Sequence, residues 1–457
     1  MRLTLREAAE ATGGELAGAG PELLATGVGT DTRSLRAGDL FVALTGERFD
    51  GHDYVLPAFA AGALAAVVRR DWYSGDQSLP LLRVEDPVRA LGHLARFWRR
   101  QWPGHMVAVT GSSGKTTTKE MIATALGGDG SVQKTARNYN NEIGVPLTLL
   151  GLEPRHQQAV VEMGMRGPGE IAWLAEVAEP TVGVVTNIGR AHLGRLGSIE
   201  GIADAKSELL ERLPARGTAI LPAEDRCLGR LRDRCSCRVL TFGRSDTADV
   251  RAVETKLGEE GSITQVSLGG LSLGLRLQVP GAHNVLNALA ALAVAQVVGV
   301  CPEEACRRLE SFVPPELRSE TAALSCGALL ISDVYNANPD SMAVALESLV
   351  LRPGRKIAVL GDMLELGPTE MEEHRTIGRK VADLGIGVLV GVGPRATGIA
   401  EGALDAGMPK ERVYSVMECE AAAPLLRGVI RPGDVVLVKG SRGMKMERLV
   451  EELRHAE

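Results

Sequence analysis

Val107-Ala-Val-Thr-Gly-Ser-Ser-Gly-Lys-Thr-Thr-Thr118 decides how the rest of the chain is read. A short apolar strand runs into a glycine loop, and the loop opens a helix whose Ile122, Ala125 and Leu126 can face a core. In such a unit the main-chain N–H groups from Gly111 to Thr116 converge on an anion, helped by the helix N-terminus. Lys115 supplies a point charge for β- and γ-phosphates, and the Thr116 hydroxyl can hold Mg2+. The common G-x-x-x-x-G-K-[ST] spacing would need glycine where Val109 stands, so this loop is a shorter Thr-Gly-x-x-Gly-Lys-Thr-Thr. Thr110, Gly111, Ser112, Ser113, Gly114, Lys115, Thr116 and Thr117 are the expected contacts to ATP or GTP.

Outward from the loop, residues 104–315 alternate short β-branched runs with helical patterns: Val107-Ala-Val, Ala159-Val-Val and Val182-Gly-Val-Val185. Such runs predict a parallel sheet covered on both faces. The stretch 238–280 turns Gly-rich and alternating, as in an antiparallel appendage, and an Ala-rich helix follows from His283 to about Val298. Pro314-Pro315 breaks the chain. Beyond it Leu329-Leu-Ile331, Ile357-Ala-Val-Leu360, Val388-Leu-Val390 and Val435-Val-Leu-Val438 read as four strands of a Rossmann-like domain, 316–457. Before the loop, residues 1–103 read as a small mixed α/β domain. Thr4 and Glu7 form a capping box there, Asp39 to Leu44 alternates as a strand, and the alanines of 57–66 predict a helix. Arg96-Phe-Trp-Arg-Arg-Gln-Trp-Pro103 closes that section as a helix end and linker, its charges read as a solvated face. The expected fold is α/β in three domains, over 1–103, 104–315 and 316–457.

With 45% hydrophobic and 24% charged residues, the 457-residue chain has an ordinary globular balance, which excludes disordered and fibrous classes. Aromatics are only 3%, so its cores must be built from Ala, Val and Leu. The balance of 51 Lys+Arg against 57 Asp+Glu, net −6, argues against general nucleic-acid binding. The longest apolar stretch, Val55 to Val68, contains Pro57 and is shorter than the roughly 18 residues of a spanning helix. Arg2, Arg6, Glu7 and Glu10 interrupt the first turns, unlike a signal peptide. The seven cysteines are odd in number and irregularly spaced, as reduced thiols would be. A cytoplasmic monomer with small-molecule partners is expected, with no membrane insertion.

The short loop resembles that of the Mur ligases and folylpolyglutamate synthases, and further motifs narrow the match to the Mur ligase family over nearly the whole chain. Asp31-Thr-Arg-Ser34, Phe41-Val-Ala-Leu-Thr-Gly-Glu-Arg-Phe-Asp-Gly-His52, Asn138-Tyr-Asn-Asn-Glu-Ile-Gly-Val-Pro146, Thr186-Asn-Ile-Gly-Arg-Ala-His192 and Gly281-Ala-His-Asn-Val-Leu-Asn287 stand in family order. So do Asp333-Val-Tyr-Asn-Ala-Asn-Pro-Asp-Ser341, Gly361-Asp-Met-Leu-Glu-Leu-Gly367 and Val438-Lys-Gly-Ser-Arg-Gly-Met444. One departure is Arg137, where the family more often has glycine. The Tyr-Asn-Ala-Asn-Pro and Gly-Asp-Met-Leu-Glu-Leu-Gly segments resemble the members that add D-alanyl-D-alanine, not those that add one amino acid.

The resemblance implies ATP-dependent joining of UDP-N-acetylmuramoyl-tripeptide to D-alanyl-D-alanine through an acyl phosphate, with one or two Mg2+ ions. Bringing a carboxylate up to a triphosphate sets like charges together, so cations must neutralise both. Glu162 ends a parallel strand, where ligands of α/β sheets gather, and a carboxylate beside Thr116 suits Mg2+. The resemblance makes His192 a second metal ligand. Lys206 falls on the apolar stripe of a helix capped by Ser198, with Ile199, Ile202, Ala203 and Leu210. An inward lysine has a lowered pKa and can take up CO2, and in related ligases the lysine at this motif is a carbamate able to approach Mg2+. Lys115, Glu162, His192 and Lys206 are thus the expected catalytic set.

Asn284 and Asn287, at i and i+3, are placed near adenine by the resemblance. Asp333 can take ribose hydroxyls and Arg318 can reach phosphate, so both imply that domains close over ATP. Thr32, Glu47, Arg48, Phe49 and Asn138 match the region that holds the uridine diphosphate end. Tyr335, Asn336, Asn338 and Pro339 are candidates for shaping the dipeptide pocket. The alternatives are another amide ligase of the group, such as a folylpolyglutamate synthase, and a nucleotide-dependent binding module without catalysis. The first is opposed by the section that precedes the phosphate loop, the second by the presence of Lys115, Thr116, Glu162, His192 and Lys206.

Overall fold

Strands such as His105–Thr110 and Gln158–Glu162 have apolar centres and are buried at nearly every position, so both sheet faces are covered by helices. The computed structural model describes residues 1–46, 49–72, 75, 78–128 and 130–455, and has three α/β domains. The central sheet has nine strands in the order Leu271–Leu277, Ser262–Leu268, Val250–Leu257, Arg238–Gly243, Thr218–Pro222, Val182–Val185, His105–Thr110, Gln158–Glu162, Val132–Lys134. His105–Thr110 is parallel to both its neighbours. The chain builds to one side of it first and then crosses to the other, which opens a crevice at its carboxyl end. Of the region read as an antiparallel appendage, Val250 to Leu277 is one, while Arg238–Gly243 continues the parallel sheet.

Small side chains build the central core, as the scarcity of aromatics requires. Val107, Val109, Met121 and Ile122 pack with Ala288, Leu289, Ala291 and Leu292 of the helix Ala282–Val297. The C-terminal sheet has six strands, the four expected plus the edge strands Glu320–Ala323 and Val413–Val416. The N-terminal sheet has five: Glu15–Ala17, Leu81–Val84, Ala65–Arg69, Asp39–Val42 and Gly27–Gly29. The capping box forms as read, Thr4 and Glu7 opening the helix Leu5–Thr12.

Two expectations are corrected. The alanines of 57–66 are not one helix. The helix is Val55–Ala60, a turn at Gly62 (φ 97°) follows, and Ala65–Arg69 is a strand inside the N-terminal sheet. The basic run from Arg96 is a solvated face only in part, at the exposed Arg100. Arg96 pairs with Glu176 and Glu179, and Arg100 with Glu179. Arg99 is buried and donates to the carbonyls of Ala178 (3.0 Å), Trp102 (2.9 Å) and Glu179 (3.3 Å). The helix Pro87–Arg100 is thereby clamped to the C-terminal end of Glu170–Ala178, whose orphan carbonyls need donors. Leu91 and Leu94 of that helix share one core with Met106, Ala108 and Leu174, so the first and second domains are fused through apolar packing.

Candidate active site

The phosphate loop is held open by its neighbour loop, not by itself. Ser112 N–H donates to Asn187 O (3.1 Å), Ser113 N–H to Asn187 Oδ1 (3.0 Å), and Thr186 Oγ1 donates to Ser113 O (2.6 Å). The expectation that every N–H from Gly111 to Thr116 faces the anion is therefore corrected. Ser112 and Ser113 are taken by Asn187, and the first-turn N–H groups of the helix Lys115–Leu126 remain for phosphate. Gly111 and Gly114 are required residues. A Cβ at Gly111 would lie 1.8 Å from Thr186 Oγ1, and Gly114 adopts φ 76° against Asn287. Thr110 donates to Met163 O (3.0 Å), which ties the loop to the end of the Glu162 strand.

A cavity of about 870 Å3 opens over this loop. Lys115, Thr116, Glu162, His192 and Lys206 all line it, so three sequence-distant segments and the loop converge on one space. Lys115 Nζ donates to Gly111 O (2.7 Å). Burial lowers its pKa, and nearby Arg318 adds to this while Glu162 opposes it. Glu162 Oε1 accepts from Asn140 Nδ2 (2.8 Å), while Oε2 is buried with no partner among the described residues. A carboxylate oxygen left bare in a polar cavity is what a hard cation fits. His192 adopts φ 62°, and its Nδ1 lies 2.6 Å from Glu365 Oε2 of the C-terminal domain, leaving Nε2 free of that pair.

Lys206 is 2% exposed on the helix Ile199–Glu211, whose N-terminus Ser198 caps as expected. Among the described residues no carboxylate pairs with it. Burial drives its pKa well below the ordinary lysine value, and the charge of Lys115 drives it further.

A second cavity, about 570 Å3, meets the first at Ser113, Gly114, Arg318 and Ser341. Asn284, Asn287, Thr117 and Asp333 line it. Asn287 Oδ1 accepts from Thr118 Oγ1 (3.1 Å), and Asn284 Nδ2 donates to Pro280 O (2.8 Å). Arg318 reaches from the C-terminal side to Thr116 Oγ1 (3.4 Å), its guanidinium stacked 4.1 Å from the Tyr335 ring centroid. Asp333 Oδ2 accepts from Lys439 Nζ at 2.6 Å. Burial works against that carboxylate, yet Lys439 carries its pKa below the ordinary range.

Asn138, Tyr335, Asn336 and Asn338 line the first cavity. The Asn338 side chain is also occupied as the cap of Pro339–Val350, accepting from Ser341 N–H (2.8 Å). Pro339 is buried in the first turn of that helix, outside both cavity walls. Thr32 and Phe49 also lie outside both walls, Phe49 being 58% exposed, and Glu47 and Arg48 fall outside the described residues. Arg137 adopts φ 47°, a left-handed turn that glycine enters more easily.

Sequence reasoning missed Lys439, Asn140, Asn187 and the interdomain pairs of Arg190 with Asp340 (3.0 Å) and Glu373 (2.9 Å). The first three lie inside motif segments, which were the available signal. Arg190 lies in such a segment too, but its partners are a domain away.

Three family models match in order: the Mur ligase family catalytic domain over residues 25–99, the Mur ligase middle domain over 109–295, and the Mur ligase glutamate ligase domain over 317–442. The chain belongs to the Mur ligase family. It is 37% identical over 458 residues to the UDP-N-acetylmuramoyl-tripeptide–D-alanyl-D-alanine ligase of Bacillus subtilis, covering 99% of this chain and 98% of that one. It is 37% identical to the Escherichia coli protein of the same name, covering 99% of each. Among solved structures, MurF from Acinetobacter baumannii superposes with a TM-score of 0.93 at 35% identity, covering 100% of this chain and 99% of that one. MurF from Thermotoga maritima in complex with ADP does so at 0.83 and 31%, covering 94% and 97%.

Proposed function

We propose that this chain is an ATP-dependent ligase that joins UDP-N-acetylmuramoyl-tripeptide to D-alanyl-D-alanine, a step in making peptidoglycan precursor. The observation that carries the reading is the convergence of Lys115, Glu162, His192 and Lys206 on one cavity, where, among the described residues, Glu162 Oε2 is bare and Lys206 has no acid partner. Relatives bearing that name at 37% identity over full length support it.

A carboxylate oxygen of the tripeptide attacks the γ-phosphorus, the bond to the β-phosphate oxygen breaks, and ADP leaves. The dipeptide amine then attacks the acyl carbon, gives up a proton, and inorganic phosphate departs with the bonding pair. Lys115 and Arg318 neutralise phosphate charge that would repel the carboxylate, and the first-turn N–H groups orient the phosphates. Thr116, Glu162 and His192 would hold Mg2+, joined by Lys206 once its neutral amine has taken up CO2 and lost a proton to give a carbamate. A bound Mg2+ supplies positive charge to the phosphate oxygens.

Asn284 and Asn287 flank adenine, and Asp333 takes the ribose. Tyr335, Asn336 and Asn338 shape the dipeptide end, with Pro339 acting only through the helix start that Asn338 caps, and Asn138, Thr32, Glu47, Arg48 and Phe49 serve the uridine diphosphate end. The domains run 1–103 for the UDP substrate, 104–315 for ATP and 316–457 for closure over ATP and dipeptide. A cytoplasmic monomer acting on small molecules is part of this reading; no helix among the described residues is long and apolar enough to cross a membrane. A phosphate-release assay with ATP and Mg2+ tests the reading. Release with the tripeptide nucleotide plus D-alanyl-D-alanine, but not plus D-alanine, is expected; release with D-alanine instead would overturn it.

A further inference from the structure

Lys119 has no solvent exposure, and a lysine is seldom fully buried without partners. It lies one turn beyond Lys115 on the phosphate-loop helix. Its Nζ donates to the carbonyl of Thr135 (2.6 Å) and pairs with Glu120 (2.8 Å), whose other oxygen pairs with Lys134 (2.8 Å). Thr135, itself buried, donates its N–H to Val160 O (3.0 Å), and its Oγ1 accepts the N–H of Glu162 (2.9 Å). Five residues on, Asn140 Nδ2 donates to Glu162 Oε1 (2.8 Å), and Asn140 O accepts from Gly164 N–H (2.8 Å). One short segment, 135–140, thus grips Glu162 by main chain and by carboxylate, and Lys119 ties that segment to the helix that carries Thr116.

We propose that Lys119, Thr135 and Asn140 are positioning residues that fix the Glu162 carboxylate relative to the phosphate loop, presenting its bare Oε2 to the cation that accompanies the nucleotide. The proposal rests on the reading of Glu162 as a cation ligand. Thr116 and Glu162 stand on separate elements, and a hard cation tolerates little error in the spacing of its oxygen ligands. A buried ammonium donating to the Thr135 carbonyl links those elements, which an apolar side chain of similar length could not do.

The test uses the full chain with ADP and Mn2+ as a spectroscopic substitute for Mg2+, its binding followed by electron paramagnetic resonance. Thr135→Val, which keeps the shape and removes the acceptor, should weaken Mn2+ binding by about tenfold or more. ADP affinity without metal should stay within about twofold, because that grip leaves the phosphate N–H groups untouched. Thr135→Ser should restore Mn2+ binding, and Asn140→Ala, at a less buried position, should weaken it even if Thr135→Val does not fold. Wild-type Mn2+ affinity in Thr135→Val or in Asn140→Ala, while Glu162→Gln loses it, would overturn the positioning role alone. Wild-type affinity in Glu162→Gln would overturn the underlying reading of Glu162.

Discussion

Lys439 Nζ lies 2.6 Å from Asp333 Oδ2 and 3.0 Å from Asn336 O, with the lysine only 2% exposed. The two side chains end adjacent parallel strands, Leu329–Asp333 and Val435–Lys439, paired residue for residue. The lysine holds the proposed ribose carboxylate ionised and aimed, and also ties it to the main chain of the proposed dipeptide segment.

Removing either partner should leave the other's charge buried and uncompensated. Asp333→Ala should raise the KM for ATP by about tenfold, the loss of a charged hydrogen bond, and leave UDP-substrate binding intact. Lys439→Met leaves a buried carboxylate uncompensated and should cost about 3 kcal/mol of stability. Steady-state kinetics and denaturant titration of the two variants check this. A Lys439→Met protein as stable as wild type would refute the pairing argument.

Lys115→Ala should lower the rate by about 10²- to 10⁴-fold, because a cation proposed to neutralise the transferring phosphoryl group is lost. Melting temperature should change little, since among the described residues Lys115 holds only the Gly111 carbonyl. Single-turnover phosphate release checks it, and near-normal turnover would sink the phosphate-loop assignment.

What the sequence makes legible here is what local chemistry determines. The strand, glycine loop and Lys-Thr helix of 107–118 can be read because each signal abuts the next. The burial of Lys206 follows from its place on a helical stripe. The Arg96–Arg100 clamp is different: those charges read as solvated because their acceptors, Ala178 and Glu179, lie about eighty residues on. Lys439 reads as a strand end, and only folding brings it to Asp333, 106 positions away. The edge strand Val413–Val416 has too little periodicity to stand out from loop.

His283 lines the second cavity, and burial is the main reason its pKa falls to about 4; Asp333 and Glu347 oppose the shift and Lys439 reinforces it. An unfolded histidine titrates near 6.5, so between about pH 6.5 and 4 the unfolded chain binds a proton that the folded one refuses. Stability must then rise with pH across that window and fall on acidification. Between pH 7 and 5 the wild type should lose about 1–2 kcal/mol more than His283→Gln, which cannot titrate there. Denaturant midpoints at the two pH values measure the difference, and parallel losses in both proteins would refute it.

Lys206 carries the most consequential prediction. Its ammonium would sit buried beside Lys115, where two like charges repel and any cation bound by Glu162 would be repelled as well. Because burial already favours the neutral amine, reaction with CO2 has its substrate ready, and the product places a negative charge where an ammonium would be positive. The hypothesis is that Lys206 is a carbamate in the active enzyme. Lys206→Ala should fold with wild-type cooperativity yet turn over at least about 10²-fold more slowly. A short carboxylate such as acetate should restore part of that activity by occupying the vacated space. Lys206→Arg should be inactive and beyond such rescue, because guanidinium stays charged and takes up no CO2. With 13C-labelled bicarbonate, the wild type should show a carbamate carbon resonance that Lys206→Ala lacks. Absence of that resonance together with a fully active Lys206→Arg would refute the modification, and the cation would then be held by Glu162 and His192 without it.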